Sequence, residues 1–125
     1  MDEKDRMNTA DILFSAIEAV YSGIHYYSEY YKKDKGIVKG LRMVYNKLSE
    51  QLECHFGLIV FEPEVGDVFD EQEHEAVSIK NKMFPNASLI VKSLVLPGLK
   101  DKTGKVVRPA KVVVAAISRQ DRIQN

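Results

Sequence analysis

Apolar positions in the first half of the chain recur at helical spacing, and in the second half that rhythm stops. Ile12, Ala16, Val20, Ile24, Tyr27 and Tyr31 follow one another at intervals of 4, 4, 4, 3 and 4, which puts them on one helix face. Leu13 and Ile17 widen it. Asn8 or Thr9 is expected to cap this helix, with Asp11 in its first turn. Lys32 and Lys33 near its end suit the helix dipole, and Asp34-Lys35-Gly36 reads as a turn. A second helix is predicted from about Ile37 to Phe56. Its apolar residues Val38, Leu41, Tyr45, Leu48, Leu52 and Phe56 are spaced 3, 4, 3, 4 and 4, close to a heptad seam, and Gly57 is a natural stop. Two helices with apolar faces this wide cannot cover each other fully. A four-helix bundle made from two such hairpins can, so a homodimer is expected.

After Gly57 the pattern becomes short, β-branched and punctuated. Leu58–Phe61, Ala76–Ile79, Leu89–Leu96 and Val106–Ile117 read as strands. Phe84–Ser88 and Pro97-Gly98 read as loops, and Asp101-Lys102-Thr103-Gly104 as a hairpin turn. The expected architecture is α+β: a helical dimerisation hairpin over 8–57, a small antiparallel β domain over 58–117 and a polar tail over 118–125.

Charge changes this picture little. The 125 residues hold 18 basic and 18 acidic side chains, so no whole-molecule attraction to nucleic acid or anionic lipid is expected. The sum hides an asymmetry: residues 36–82 carry 9 acids and 5 bases, residues 83–125 carry 2 and 8. Neighbouring segments that balance each other account for this more simply than a charged docking surface. No apolar run approaches the ~20 residues of a membrane span, and Met1–Met7 is unlike a signal or transit peptide. With a single cysteine, Cys54, the expected location is the cytoplasm.

Candidate catalytic chemistry fails on spacing. His74-Glu75 opens like a zinc-protease motif, but Ser78 stands where the second histidine is needed. Cys54 and His55 are adjacent on a helix and diverge by about 100°. Gly98–Lys105 has too wide a glycine spacing for a phosphate loop, and Val106 replaces its hydroxyl residue. Tyr26, Tyr27, Tyr30 and Tyr31 suit a core or an interface. No catalytic residue, metal or cofactor is expected, and a binding protein remains by elimination.

Three ordered segments sharpen that reading. Phe69-Asp70-Glu71-Gln72-Glu73-His74-Glu75-Ala76-Val77 resembles the F-D-P-x-x-H-E-A-V segment of the GrpE family. Gly104-Lys105-Val106-Val107-Arg108-Pro109-Ala110-Lys111-Val112-Val113-Val114 resembles that family's closing G-R-V-L-R-P-A-x-V-x-V strand. Val38–Tyr45 followed by Phe56-Gly57-Leu58 resembles its second bundle helix and the exit into the β domain. The resemblance covers roughly Ala10 to Ala115.

That resemblance implies a homodimeric nucleotide exchange factor that docks on the ATPase domain of a DnaK-type chaperone and lets ADP leave, with no bond chemistry. It places chaperone contacts at Phe69, Glu71, Lys105 and Val114, a docking-helix glycine at Gly40, and either a contact or a salt-bridge role at Arg108. It gives Asp70, His74, Pro109 and Ala110 structural roles: Asp70 as a turn acceptor, His74 packed under the loop. Departures are also visible. Ser22 stands in place of an Arg, Glu71 in place of a Pro, and Pro97-Gly98-Leu99 in place of Lys-Gly-Tyr. Few residues precede Asn8, so most of the family's long N-terminal helix is expected to be missing. Three other readings are a dimeric GrpE-like interaction module without exchange activity, a small nucleic-acid binder using residues 83–125 and the tyrosines, and an enzyme built around His74.

Overall fold

A computed structural model describes residues 1–33, 35–80 and 88–117. The order of elements is α1 (Glu3–Tyr30), α2 (Lys35–Phe56), β1 (Leu58–Phe61), β2 (His74–Lys80), β3 (Ser88–Leu96), β4 (Gly98–Asp101), β5 (Val106–Arg108) and β6 (Ala110–Ile117). The chain is α+β, a helical hairpin followed by small sheets. It divides into two compact units, Met1–Val60 with Asp101–Gly104, and Phe61–Lys100 with Lys105–Asn125.

In the first unit α1 begins well before the expected cap. Asp2 is the N-cap, its carboxylate accepting from Asp5 N–H at 2.8 Å, with Glu3 and Asp5 acidic in the first turn. Thr9 lies inside the helix, where its hydroxyl donates back to Asp5 C=O at 2.8 Å. The helix ends at Tyr30, before Lys32 and Lys33, and Lys35-Gly36 open α2. Asp34, the Phe84–Ala87 part of the expected loop and the 118–125 tail lie outside the described residues.

The seam of the hairpin differs from the stripe the sequence suggests. Ala10, Phe14 and Ile17 are buried, and Tyr21 and Ile24 continue the line half-buried, at spacings of 4, 3, 4 and 3. Ile12 stays 72 % exposed, and Ala16 is exposed too. The reason is angular. Steps of four advance 40° beyond a full turn, so the line from Ile12 through Ala16 starts off the contact and reaches it only at Val20 and Ile24, which are half-buried, whereas alternating steps hold it. The α2 seam alternates as expected, with Tyr45 and Leu52 buried and Val38, Leu41, Leu48 and Phe56 half-buried. The Tyr21 and Tyr45 rings meet across the hairpin at 5.9 Å. Gly57 ends α2 in the left-handed region at φ 66°, its N–H donating to Glu53 C=O.

The strands form two sheets, of order β1-β4-β5 and β2-β6-β3. The second is mixed rather than antiparallel: β6 runs antiparallel to β3 and parallel to β2. Burial explains the arrangement. β6 is almost wholly apolar and buried, so it takes the centre; β2 carries Glu75, Ser78 and Lys80 and takes an edge. The run expected as one strand over Val106–Ile117 is split into β5 and β6 at Pro109, which has no N–H to give a ladder. Pro97-Gly98 is not a plain loop, because Gly98 opens β4. Val91, Val112 and Val114 form the core of the second unit, with Phe69, Ala76, Leu89 and Leu94 packed on it.

Candidate partner-binding surface

The approach to β2 is a compact loop built around Asp70. The Asp70 carbonyl accepts from Glu73 N–H at 3.0 Å and His74 N–H at 2.8 Å, while its carboxylate accepts from Gln72 N–H at 2.9 Å. Asp70 N–H in turn donates to His74 Nδ1 at 3.0 Å. That bond requires a lone pair on Nδ1, so the ring proton sits on Nε2. His74 is 8 % exposed, and its ring lies 5.8 Å from that of Phe69. Removing the imidazole strands the Asp70 N–H in a part-buried place. His74→Ala is therefore expected to lower stability by about 1–3 kcal/mol, read from chemical denaturation.

The loop is fastened on both sides within the second unit. Phe69 N–H donates to Leu89 C=O and Val91 N–H to Asp67 C=O, at 2.9 and 2.8 Å, so residues 66–69 cover the free edge of β3. His74 pairs with Ala110, and Ala110 N–H donates to Glu73 C=O at 2.9 Å. Glu73 also holds Lys100 at 2.6 Å, and the Lys100 ammonium lies 4.5 Å from the centre of the Phe61 ring. Both partners are partly exposed, so the ion pair adds little stability and serves mainly to orient the loop. Asp70, Glu71 and Gln72 are exposed at the tip.

The structure sorts the residues proposed from sequence. Glu71, Lys105, Arg108 and Pro109 are exposed. Phe69 is half-buried on the core, so only its rim can meet a partner. Ala110 is fully buried opposite His74. Val114 corrects the sequence reading. It is 0 % exposed, packed in the core opposite Val91, and presents no surface to a partner. Asp70, His74 and Ala110 are brought together with Phe69; Gly40 belongs to the other unit.

Gly40 is exposed on α2, and a Cβ built there meets no heavy atom within 4 Å. Close packing inside the chain therefore does not account for this helix-interior glycine. Gly40→Ala is expected to raise the thermal stability of the hairpin by up to about 1 kcal/mol, measured by helix melting.

Among the described residues no group of three or more His, Cys, Asp or Glu side chains could hold a metal ion, and no helix is long and apolar enough to cross a membrane. Tyr26 lies within 5.0–5.8 Å of Tyr27, Tyr30 and Tyr31, ring to ring. Its phenol is held above the ordinary tyrosine range, first by its hydrogen bond with Tyr31.

Comparison with known proteins matches the GrpE family model to residues 4–116 of the chain. A relative, Protein GrpE of Mycoplasma mobile, is 36 % identical over 81 residues, which are 65 % of this chain and 31 % of the relative. The match thus spans about a third of that relative's length.

Proposed function

The chain belongs to the GrpE family, and on that footing we propose that it is a nucleotide exchange factor, a co-chaperone that docks on the ATPase domain of a DnaK-type chaperone and promotes ADP release. The observation that carries the reading is the extent of the family match, which runs through both helices and both sheets. The mechanism needs no catalytic residue. An exchange factor that binds the open nucleotide cleft better than the closed one shifts the equilibrium by that difference in affinity. The rigid Phe69–His74 loop suits this role, because a loop fixed by its own hydrogen bonds transmits force instead of yielding. The docking residues in this reading are Gly40, the Phe69 rim, Glu71, Lys105 and Arg108, with Val114 supporting them from the core.

We also propose that the working form is a homodimer in the cytoplasm. Ile12 at 72 % and Val44 at 48 % exposure are large apolar side chains outside the hairpin's own seam, one on each helix, and a second hairpin would cover them. Linkage supplies the test of docking. If the protein favours the open cleft, ADP must weaken its binding to the ATPase domain by the same factor by which it weakens ADP binding. Calorimetry is expected to show tight binding to the nucleotide-free ATPase domain and weaker binding to the ADP-saturated one. Equal affinities would remove exchange from the proposal. Gly40→Asp is expected to weaken the nucleotide-free complex by about tenfold or more while leaving the β unit folded.

Ser22 and Glu71 favour a second reading, a dimeric interaction module of the same fold that binds the chaperone without opening it. Both are exposed where the family motif carries an Arg and a Pro. This reading predicts binding that is indifferent to nucleotide.

A further inference from the structure

Among the described residues, the buried side chain of a type that titrates between about pH 5 and 8 is His74. The other two histidines, His25 and His55, are exposed on the helices. His74 ties residues 70–74 into a closed turn from both directions. Its Nδ1 accepts from Asp70 N–H at 3.0 Å, and its own backbone N–H donates to Asp70 C=O at 2.8 Å. Of these two bonds, the first depends on a group that titrates. Nε2 already carries the ring proton, so a further proton enters at Nδ1. Nδ1 has one lone pair in the ring plane. It accepts from Asp70 N–H or it holds a proton, and it does not do both. With the proton in place, two N–H groups face each other in a part-buried site. The ring, 8 % exposed and 5.8 Å from that of Phe69, then has to turn outward to hydrate its charge.

We infer that His74 is a proton-operated latch. Its neutral imidazole holds the Phe69–His74 loop closed, and a proton on Nδ1 releases it. Because the bond and the proton exclude each other, the closed form is favoured at higher pH, and a falling pH shifts the loop towards the released form. The charges on the elements around the ring leave the proton free to enter. Asp70, Glu71 and Glu73 lie on the loop, Glu75 on β2, Lys100 on β4, Arg108 at the end of β5 and Lys111 on β6. Four acids thus stand against three bases, and no positive excess repels the proton. Glu73 and Lys100 are paired with each other at 2.6 Å, and Lys111 stands opposite Glu75. Where the loop is the docking element proposed above, acid weakens docking; that consequence rests on the exchange reading, and the latch itself does not.

The test uses the full chain without a partner, in NMR titrations between about pH 8 and 5. The His74 imidazole and the Asp70 amide are expected to titrate together, with one midpoint. Protection of the Asp70 and Glu73 amides against hydrogen exchange, corrected for the intrinsic effect of pH, is expected to fall about tenfold across it. In His74→Asn the side-chain oxygen stands in the place of Nδ1 and accepts the same bond without titrating, so both amides should keep their protection. An imidazole that stays neutral throughout the titration would overturn the inference. So would an Asp70 amide indifferent to protonation of the ring, or Glu73 protection that holds while Asp70 alone moves. An equal pH response in His74→Asn would assign the change to the nearby carboxylates and overturn it as well. If that variant does not fold, the titration of the native protein decides. No chaperone enters these readouts, so they hold or fail apart from the exchange reading.

Discussion

Gly98→Ala is expected to unfold the β unit at temperatures where the native protein is stable. A Cβ at this buried position would overlap the Phe61 ring and stand 2.7 Å from Ala110 N. Neither neighbour yields cheaply. The ring carries the Lys100 ammonium against its face, and Ala110 N–H is engaged with Glu73 C=O. The demand on Gly98 is for space, not for a left-handed backbone, so every side chain is excluded alike. Overpacking against a fixed backbone costs about 3 kcal/mol, which in a unit of this size lowers Tm by roughly 15 °C. Far-UV circular dichroism melts measure it. Adding Phe61→Ala removes one of the two obstacles, so the double variant should lose less than the sum of the single variants. An unchanged melting curve for Gly98→Ala would contradict the packing described for β4.

The second large effect concerns assembly. Ile12→Glu/Val44→Glu is expected to convert a dimer of twice 14.2 kDa into a 14.2 kDa monomer in light scattering at micromolar concentration. The two positions are exposed in the single chain, and the internal seam of Phe14, Ile17, Tyr45 and Leu52 is untouched. The substitutions therefore act on association and not on the packing of α1 against α2. Burying four carboxylates per dimer without partners costs several kcal/mol, enough to weaken association at least a hundredfold. A double variant that kept twice the monomer mass would place the dimer contact elsewhere or remove it.

The helices were legible because their apolar residues repeat, and the α2 seam reads directly from Val38 to Phe56. The α1 seam was not. Both Ile12-Ala16-Val20 and Ala10-Phe14-Ile17 are helical patterns, and only the alternating spacing of the partner helix decides which one faces it. The start of α1 was hidden because Asp2, Asn8 and Thr9 are all competent caps, and Thr9 satisfied its hydroxyl within the helix instead. The mixed sheet was illegible because neither β2 nor β6 records in its own residues which way its neighbour runs. β4 escaped notice because Gly98-Leu99-Lys100-Asp101 has no alternation and opens on a turn-like Pro-Gly pair. In the candidate surface, the Phe69–Val77 motif marked the loop, but a motif does not state burial. Val114 and Ala110 share the closing motif with Lys105 and Arg108, yet lie on opposite sides of the line between core and surface.

Exchange is tested by stopped-flow release of a fluorescent ADP analogue from a DnaK-type chaperone mixed with this protein. Release is expected to accelerate at least tenfold, to saturate with protein concentration and to fall back towards the basal rate with Gly40→Asp. Release at the basal rate, with the complex formed, would contradict it and leave the chain as a binding module that holds the chaperone without opening it.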